Sequence, residues 1–199
     1  RRRHTRSLCD WSSDVCSSDL RESLATVLRQ LGKPEEALAQ LKDWQKLDPD
    51  NPRLYNSLGT VMIDLEKPSE GEMLYLKALR LDSKYATARS NLGILKYRLG
   101  DYDAAVDQFR LANQLDPANI GIVENLSSAL IEAGVKAAKE DRALDAKTLL
   151  EEAIVLNPTN FFAHHRMGRI AVDKGFKDEA RRHFEAALSP ERSEEHTSE

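Results

Sequence analysis

Apolar residues fall along this chain at helical spacing, and the whole pattern returns every 34 residues. Leu24, Leu58, Leu92 and Leu126 stand 34 residues apart, and Met167 follows after 41. A second series of large apolar residues runs in parallel: Leu41, Tyr75, Phe109, Leu150 and Phe184. Small residues accompany both, with Ala25, Gly59, Gly93, Ser127 and Gly168 beside the first and Ala37, Gly71, Ala105, Ala146 and Ala180 one turn before the second. Small side chains let two helical backbones approach closely. Each repeat is therefore predicted to be two closely packed helices, A and B.

Turn residues mark where these helices end. Leu47-Asp48-Pro49, Leu81-Asp82-Ser83, Leu115-Asp116-Pro117 and Leu156-Asn157-Pro158 close successive B helices. Pro34 and Pro68 stand in the first turn of helix B, where a missing N–H costs least. With the Pro of Leu-Asp-Pro set at position 32, the repeats begin at residues 18, 52, 86, 120 and 161. The fourth carries seven extra residues within Val135 to Arg142. Seven residues make about two turns, or roughly 10 Å, and preserve the face of the helix. The helices of that pair are predicted to be lengthened, running through Ala133 to Glu140 and restarting near Ala143.

Small residues at positions 8 and 20, large apolar ones at 7 and 24, and a 34-residue period together resemble the tetratricopeptide repeat. The resemblance covers residues 21–191 and implies an all-α fold, a right-handed α-solenoid of about five helix pairs with the first and last truncated. Trp44, at position 27 where Ala78, Ala112, Ala153 and Ala187 stand in the other repeats, is expected to pack near Leu54 and Leu58.

The two ends follow a different logic. The codons AGA TCG GAA GAG CAC ACG TCT GAA spell Arg192 to Glu199, and their reverse complement, read one base in, spells Ser13 to Leu20. Residues 1–20 and 192–199 thus resemble a translated sequencing-library adapter. They are expected to be non-native tails, the first disordered, on a fragment of a longer protein. Arg1 to Arg6 has the charge of a signal-peptide start, but no apolar core follows it, so secretion is not supported.

Setting the tails aside removes five of 29 Lys+Arg and six of 33 Asp+Glu, leaving 24 against 27 and a net charge of −3. That mild acidity carries no electrostatic footprint for nucleic acid. Both cysteines, Cys9 and Cys16, fall in the first tail, so the repeats offer no thiolate for a metal or a disulfide. No apolar run approaches a bilayer span. The repeat segment is expected to be soluble, with the cytoplasm favoured.

In the family, helix A lines a concave surface and positions 2, 5, 6, 9, 12 and 13 face it. Those positions hold Arg53, Asn56 and Thr60; Ser90, Asn91, Ile94 and Tyr97; Glu124, Asn125 and Ser128; and Phe162, His165, Arg166 and Arg169. The residues taken as the peptide-binding groove are Asn56, Asn91, Tyr97, Asn125, Phe162, His165, Arg166 and Arg169. Asn91 and Asn125 share position 6, where some family members use an amide to hold an extended peptide backbone; a plain surface role is the alternative. The family's carboxylate clamp is matched only at Asn125 and Arg166, since Ser90, Ile94 and Phe162 stand where Lys, Asn and Lys are required. His165, Arg166 and Arg169 still make the fifth repeat basic, which suits an acidic peptide or acidic C-terminus if it is more than a solvated helix face. His164 and His165 point about 100° apart on a helix, so they do not converge on a metal.

The resemblance implies a protein-interaction scaffold holding an extended peptide or partner helix, with no cofactor and no catalysis. No phosphate loop, activated nucleophile or carboxylate pair stands out. The alternative is the substrate-recruiting arm of a larger enzyme. Self-association is a further expectation, because no helix is seen to follow Phe184, Ala187 and Leu188.

Overall fold

The computed structural model describes the backbone of residues 14–188 and the side chains of residues 18–188. Among the described residues it holds ten α-helices and no strand: α1 (Asp14–Gln30), α2 (Pro34–Leu47), α3 (Pro52–Asp64), α4 (Pro68–Leu81), α5 (Ala86–Arg98), α6 (Tyr102–Leu115), α7 (Ile120–Lys139), α8 (Ala143–Leu156), α9 (Phe161–Asp173) and α10 (Lys177–Leu188). This is an all-α helical-repeat solenoid. Odd-numbered helices are the A helices, and from α3 onward each starts at the residue that the 34-residue register assigns to position 1.

Residues 14–20 of the first tail belong to α1. Ser18 is buried, and Arg53 reaches back to Asp19 at 3.2 Å, so these two side chains pack at the start of α1. Residues 1–13 and 189–199 lie outside the described residues.

The helix starts have local causes. Asn51, Asn119 and Asn160 cap α3, α7 and α9 by accepting backbone N–H bonds from Arg53, Ile122 and Ala163. Pro34 and Pro68 sit at the first positions of α2 and α4, as their missing donors favour. In the A-to-B turns, Glu66 and Asp141 take left-handed φ values of 60° and 59°, where the other repeats use glycine. Asp141 lies seven residues beyond the place that a 34-residue repeat would give it.

The fourth repeat absorbs its extra residues in one helix only. α7 has 20 residues against 13 in α3, α5 and α9, while α8 keeps the 14 residues of α2, α4 and α6. The expectation that both helices of the pair lengthen is therefore half right. The A–B contact moves with the extension. A Cβ added at Gly59, Gly93 or Gly168 would lie 2.7, 2.8 or 2.6 Å from the ring of Tyr75, Phe109 or Phe184. In the fourth repeat the corresponding close approach is made by Gly134, where a Cβ would lie 2.9 Å from Leu150 Cγ, and not by Ser127. Ser127 is buried elsewhere, accepting a bond of 3.4 Å from Asn160 Nδ2.

The contacts divide the chain into two compact units, with the boundary between Leu92 and Gly93 inside α5. In the first unit α1 packs on α2, α2 on α3, and α3 on α4. Its core gathers Leu41, Trp44, Leu54, Leu58 and Val61, so Trp44 does join Leu54 and Leu58. Leu24 is 45% exposed, unlike its counterparts at position 7, because α1 has no earlier helix pair against it among the described residues. In the second unit α6 to α10 pack in chain order around Phe109, Leu126, Leu130, Leu150 and Met167. Its end is less bare than expected: Ala187 is buried and Phe184 half-buried against Gly168, leaving Leu188 at 78% exposure.

Candidate functional site

In the first unit the A helices α1, α3 and α5 border a polar space of about 310 Å³ that Glu22, Arg29, Asn56, Thr60, Tyr85 and Asn91 help to line. Asn91 Nδ2 donates to Asn56 Oδ1 at 2.8 Å, so the two amides expected to meet a ligand engage each other. Asn56 is only 7% exposed. Arg53 is also committed, to Asp19 and Glu22, and Ser57 donates to Glu22 Oε1 at 3.2 Å. Tyr85 is pushed above the usual phenol range, first by burial and then by the charge of Glu22. Ser90, a groove position in the family, is buried.

The second unit brings Tyr97 and Asn125 together. With Ile94, Arg98, Phe109 and Ser128 they line a space of about 250 Å³. Tyr97 meets Tyr102 edge-on at 5.3 Å, and burial, Glu132 and Tyr102 raise its phenol above the ordinary range. Asn125 enters no side-chain hydrogen bond among the described residues, so its amide is available to donate and accept.

The basic trio of the fifth repeat is split. Arg166 and Arg169, one turn apart on α9, border a second space of about 250 Å³ together with Lys139 and Asp173. His165 does not line it. Its ring lies parallel to Phe161 at 5.8 Å and 6.0 Å from Phe184 of α10. Phe162 is 63% exposed and meets only the edge of Phe161. Position 5 therefore turns toward α10 in this repeat. Lys139 was not legible as a site residue, because only the displaced end of α7 brings it beside α9.

His164 has a structural role shared with Tyr55. Tyr55 Oη donates to the Pro49 carbonyl at 2.6 Å, and His164 Nε2 donates to the Pro158 carbonyl at 3.0 Å, each tying helix A to the preceding turn. With Nε2–H directed at that carbonyl, the Nδ1 of His164 faces the Nδ1 of His183 at 3.1 Å. Burial, then the neighbouring His164, hold His183 below its ordinary value, against the opposing pull of Glu179 and alongside Arg182 and Lys147. The unfolded chain then binds more protons than the folded one in mildly acidic solution. The stability that neutral His183 contributes is complete above pH 6.5 and declines as pH falls through the lowered value. Thermal melts of the full chain between pH 7.5 and 5 are expected to drop accordingly, and His183→Gln is expected to flatten the slope.

Among the described residues no helix is long and apolar enough to cross a membrane, and no group of three or more His, Cys, Asp or Glu is placed to hold a metal ion.

Comparison with known proteins matches the family described as Tetratricopeptide repeat at residues 57–120 and again at residues 20–42. Those two segments are recognised as tetratricopeptide repeats. Repeats of this type commonly mediate protein–protein interaction and are typically non-catalytic. Among curated relatives, the BBSome complex member bbs-4 of Caenorhabditis elegans is 25% identical over 145 residues, covering 73% of this chain and 30% of its own. Protein O-mannosyl-transferase TMTC3 of Homo sapiens is 28% identical over 161 residues, covering 79% of this chain and 17% of its own. The chain thus spans less than a third of either relative. Among solved structures, MamA from Desulfovibrio magneticus RS-1 superposes with a TM-score of 0.64 at 21% identity, over 90% of this chain and 97% of that one. The second tetratricopeptide domain of human RPAP3, solved with the HSP70 peptide SGPTIEEVD, gives 0.51 at 22% identity, over 59% of this chain and 98% of that one.

Proposed function

We propose that this chain is an interaction scaffold whose A helices hold an extended peptide or a partner helix of another protein. The observation that carries the reading is the second unit's pair of open spaces, lined from the A helices by apolar side chains and by polar groups without partners among the described residues. Such a mixture suits a peptide, which brings both side chains and unpaired backbone amides. The peptide complex of the human RPAP3 domain supports a protein or peptide as the class of partner. The mild net negative charge argues against nucleic acid. In the first unit the Asn56–Asn91 pair acts as a fixed polar floor.

A second reading has one observation in its favour, the 79% of this chain that aligns with part of an O-mannosyl-transferase. In that reading the repeats recruit substrate for a catalytic domain elsewhere in a longer protein. Coding sequence beyond Glu191 that alternates strands and helices would favour it.

The scaffold reading is tested by selecting random dodecapeptides on the immobilised full chain and measuring the winners in solution. Asn125→Ala combined with Tyr97→Ala is expected to weaken them about tenfold or more, as loss of a central contact does at an interface. Thermal melts of the variant check that the array still folds. A library that yields no binder removes the reading, and binders indifferent to the double substitution move the site off Tyr97 and Asn125.

A further inference from the structure

The fourth repeat's extension does more than lengthen a helix. Gly134, Val135, Ala138 and Lys139 all lie beyond the 13-residue length at which α3, α5 and α9 stop, and all four line the space that Arg166, Arg169, Ile170 and Asp173 border from α9. Without the extra turns this wall would be missing. The floor is apolar, from Val135, Ala138, Leu150 and Ile170, and three cations stand around it against a single carboxylate.

Several other cations in the same unit are already paired. Arg110 pairs with Glu152, Lys136 with Asp103, Arg142 with Glu140 and Asp145, Lys147 with Glu179, and Arg181 with Glu185. Lys139, Arg166 and Arg169 enter no ion pair or side-chain hydrogen bond among the described residues. They meet at one place that also offers apolar surface.

We propose that this space is a socket for an aliphatic side chain and an adjacent carboxylate of a bound protein segment. The aliphatic group enters among Val135, Ala138 and Ile170, and the carboxylate is taken by Lys139, Arg166 and Arg169. The proposal rests on the scaffold reading and names the ligand chemistry of one part of its surface. Charge complementarity selects the occupant. A purely aliphatic segment would leave three cations unpaired, and a free anion would leave the floor wetted. An acidic–aliphatic pair satisfies both, and guanidinium groups can grip a carboxylate through two parallel bonds.

The test is a titration of the ¹⁵N-labelled full chain followed by amide chemical shifts. The probes are the capped hexapeptide Ser-Gly-Leu-Glu-Asp-Gly, its counterpart Ser-Gly-Leu-Gln-Asn-Gly, and inorganic phosphate. The acidic probe is expected to shift amides in Val135 to Lys139 and Arg166 to Asp173, and the Gln-Asn probe to bind about tenfold more weakly, the usual worth of a charge-assisted bond. Joint Lys139→Glu and Arg169→Glu is expected to abolish binding of the acidic probe while the thermal melt stays cooperative. Equal binding of the two peptides, shifts confined to other helices, or no shift at millimolar probe overturns the socket. So does phosphate reproducing the same shifts at the same concentration, since that marks a simple anion site. Peptides that still bind near Tyr97 and Asn125 would leave the scaffold reading standing while the socket falls.

Discussion

Trp44→Ala is expected to lower the stability of the first unit by about 3–5 kcal/mol, the range for emptying the site of a fully buried large aromatic. The indole is completely buried among Leu41, Leu54 and Leu58. Alanine at this position is the rule elsewhere, since Ala78, Ala112 and Ala153 occupy it with no exposure at all. The outcome therefore separates two physical pictures. If the first unit can close up to the spacing of the other repeats, the cavity collapses and the loss falls to about 1 kcal/mol or less; if its helices are held apart, the full penalty is seen. The packing favours the second picture, because Leu41 and Leu54 are themselves fully buried against the indole's cluster. Trp44 Nε1 is buried without a partner among the described residues, which costs on the order of 1–3 kcal/mol in the wild-type chain. Trp44→Phe removes that orphaned donor while retaining a large ring, so its loss is expected to be well under half that of Trp44→Ala. Urea unfolding followed by circular dichroism reads both, with the change of slope watched because repeat arrays depart from two-state behaviour.

What the sequence made legible follows from what a repeat constrains. A fixed interval names the face each residue turns and the turn in which each helix ends, so every A helix from α3 onward begins at its assigned residue. The same interval does not say how far one helix slides along its neighbour. That offset brings Asn91 within a 2.8 Å hydrogen bond of Asn56. It also decides that His165 lies over Phe161 and Phe184, away from Arg166 and Arg169. The seven-residue extension is visible in the sequence, and two added turns preserve the helical face. Its consequence is not visible there, because adding two turns keeps the direction of every side chain and changes the level at which each one sits. Lys139 entered the second unit's cationic space, and Gly134 took over the close approach, through that change of level.

Gly134→Val puts that last point to a direct trial. Valine is a slightly better helix former than glycine, by a few tenths of a kcal/mol, so an isolated α7 would gain from the exchange. Against α8 the sign reverses. The new Cβ would stand 2.9 Å from Leu150 Cγ, 3.3 Å from Leu150 Cδ2 and 3.4 Å from the Ala146 carbonyl oxygen. Leu150 is fully buried and must shift to admit the new side chain, so overpacking of about 1–3 kcal/mol is expected in denaturant unfolding. Ser127→Ala, at the site that the 34-residue register picks for the same contact, is expected to lose no more than about 1 kcal/mol, for it forfeits one long hydrogen bond. The decisive comparison is the double variant. Leu150→Ala alone opens a cavity worth about 2–5 kcal/mol. Combined with Gly134→Val, the added methyl groups enter that cavity, and the joint loss is expected to fall short of the sum by about 0.5–3 kcal/mol. Strict additivity would mean that Gly134 and Leu150 do not touch, and the extra turns of α7 would then dock α8 by some other contact.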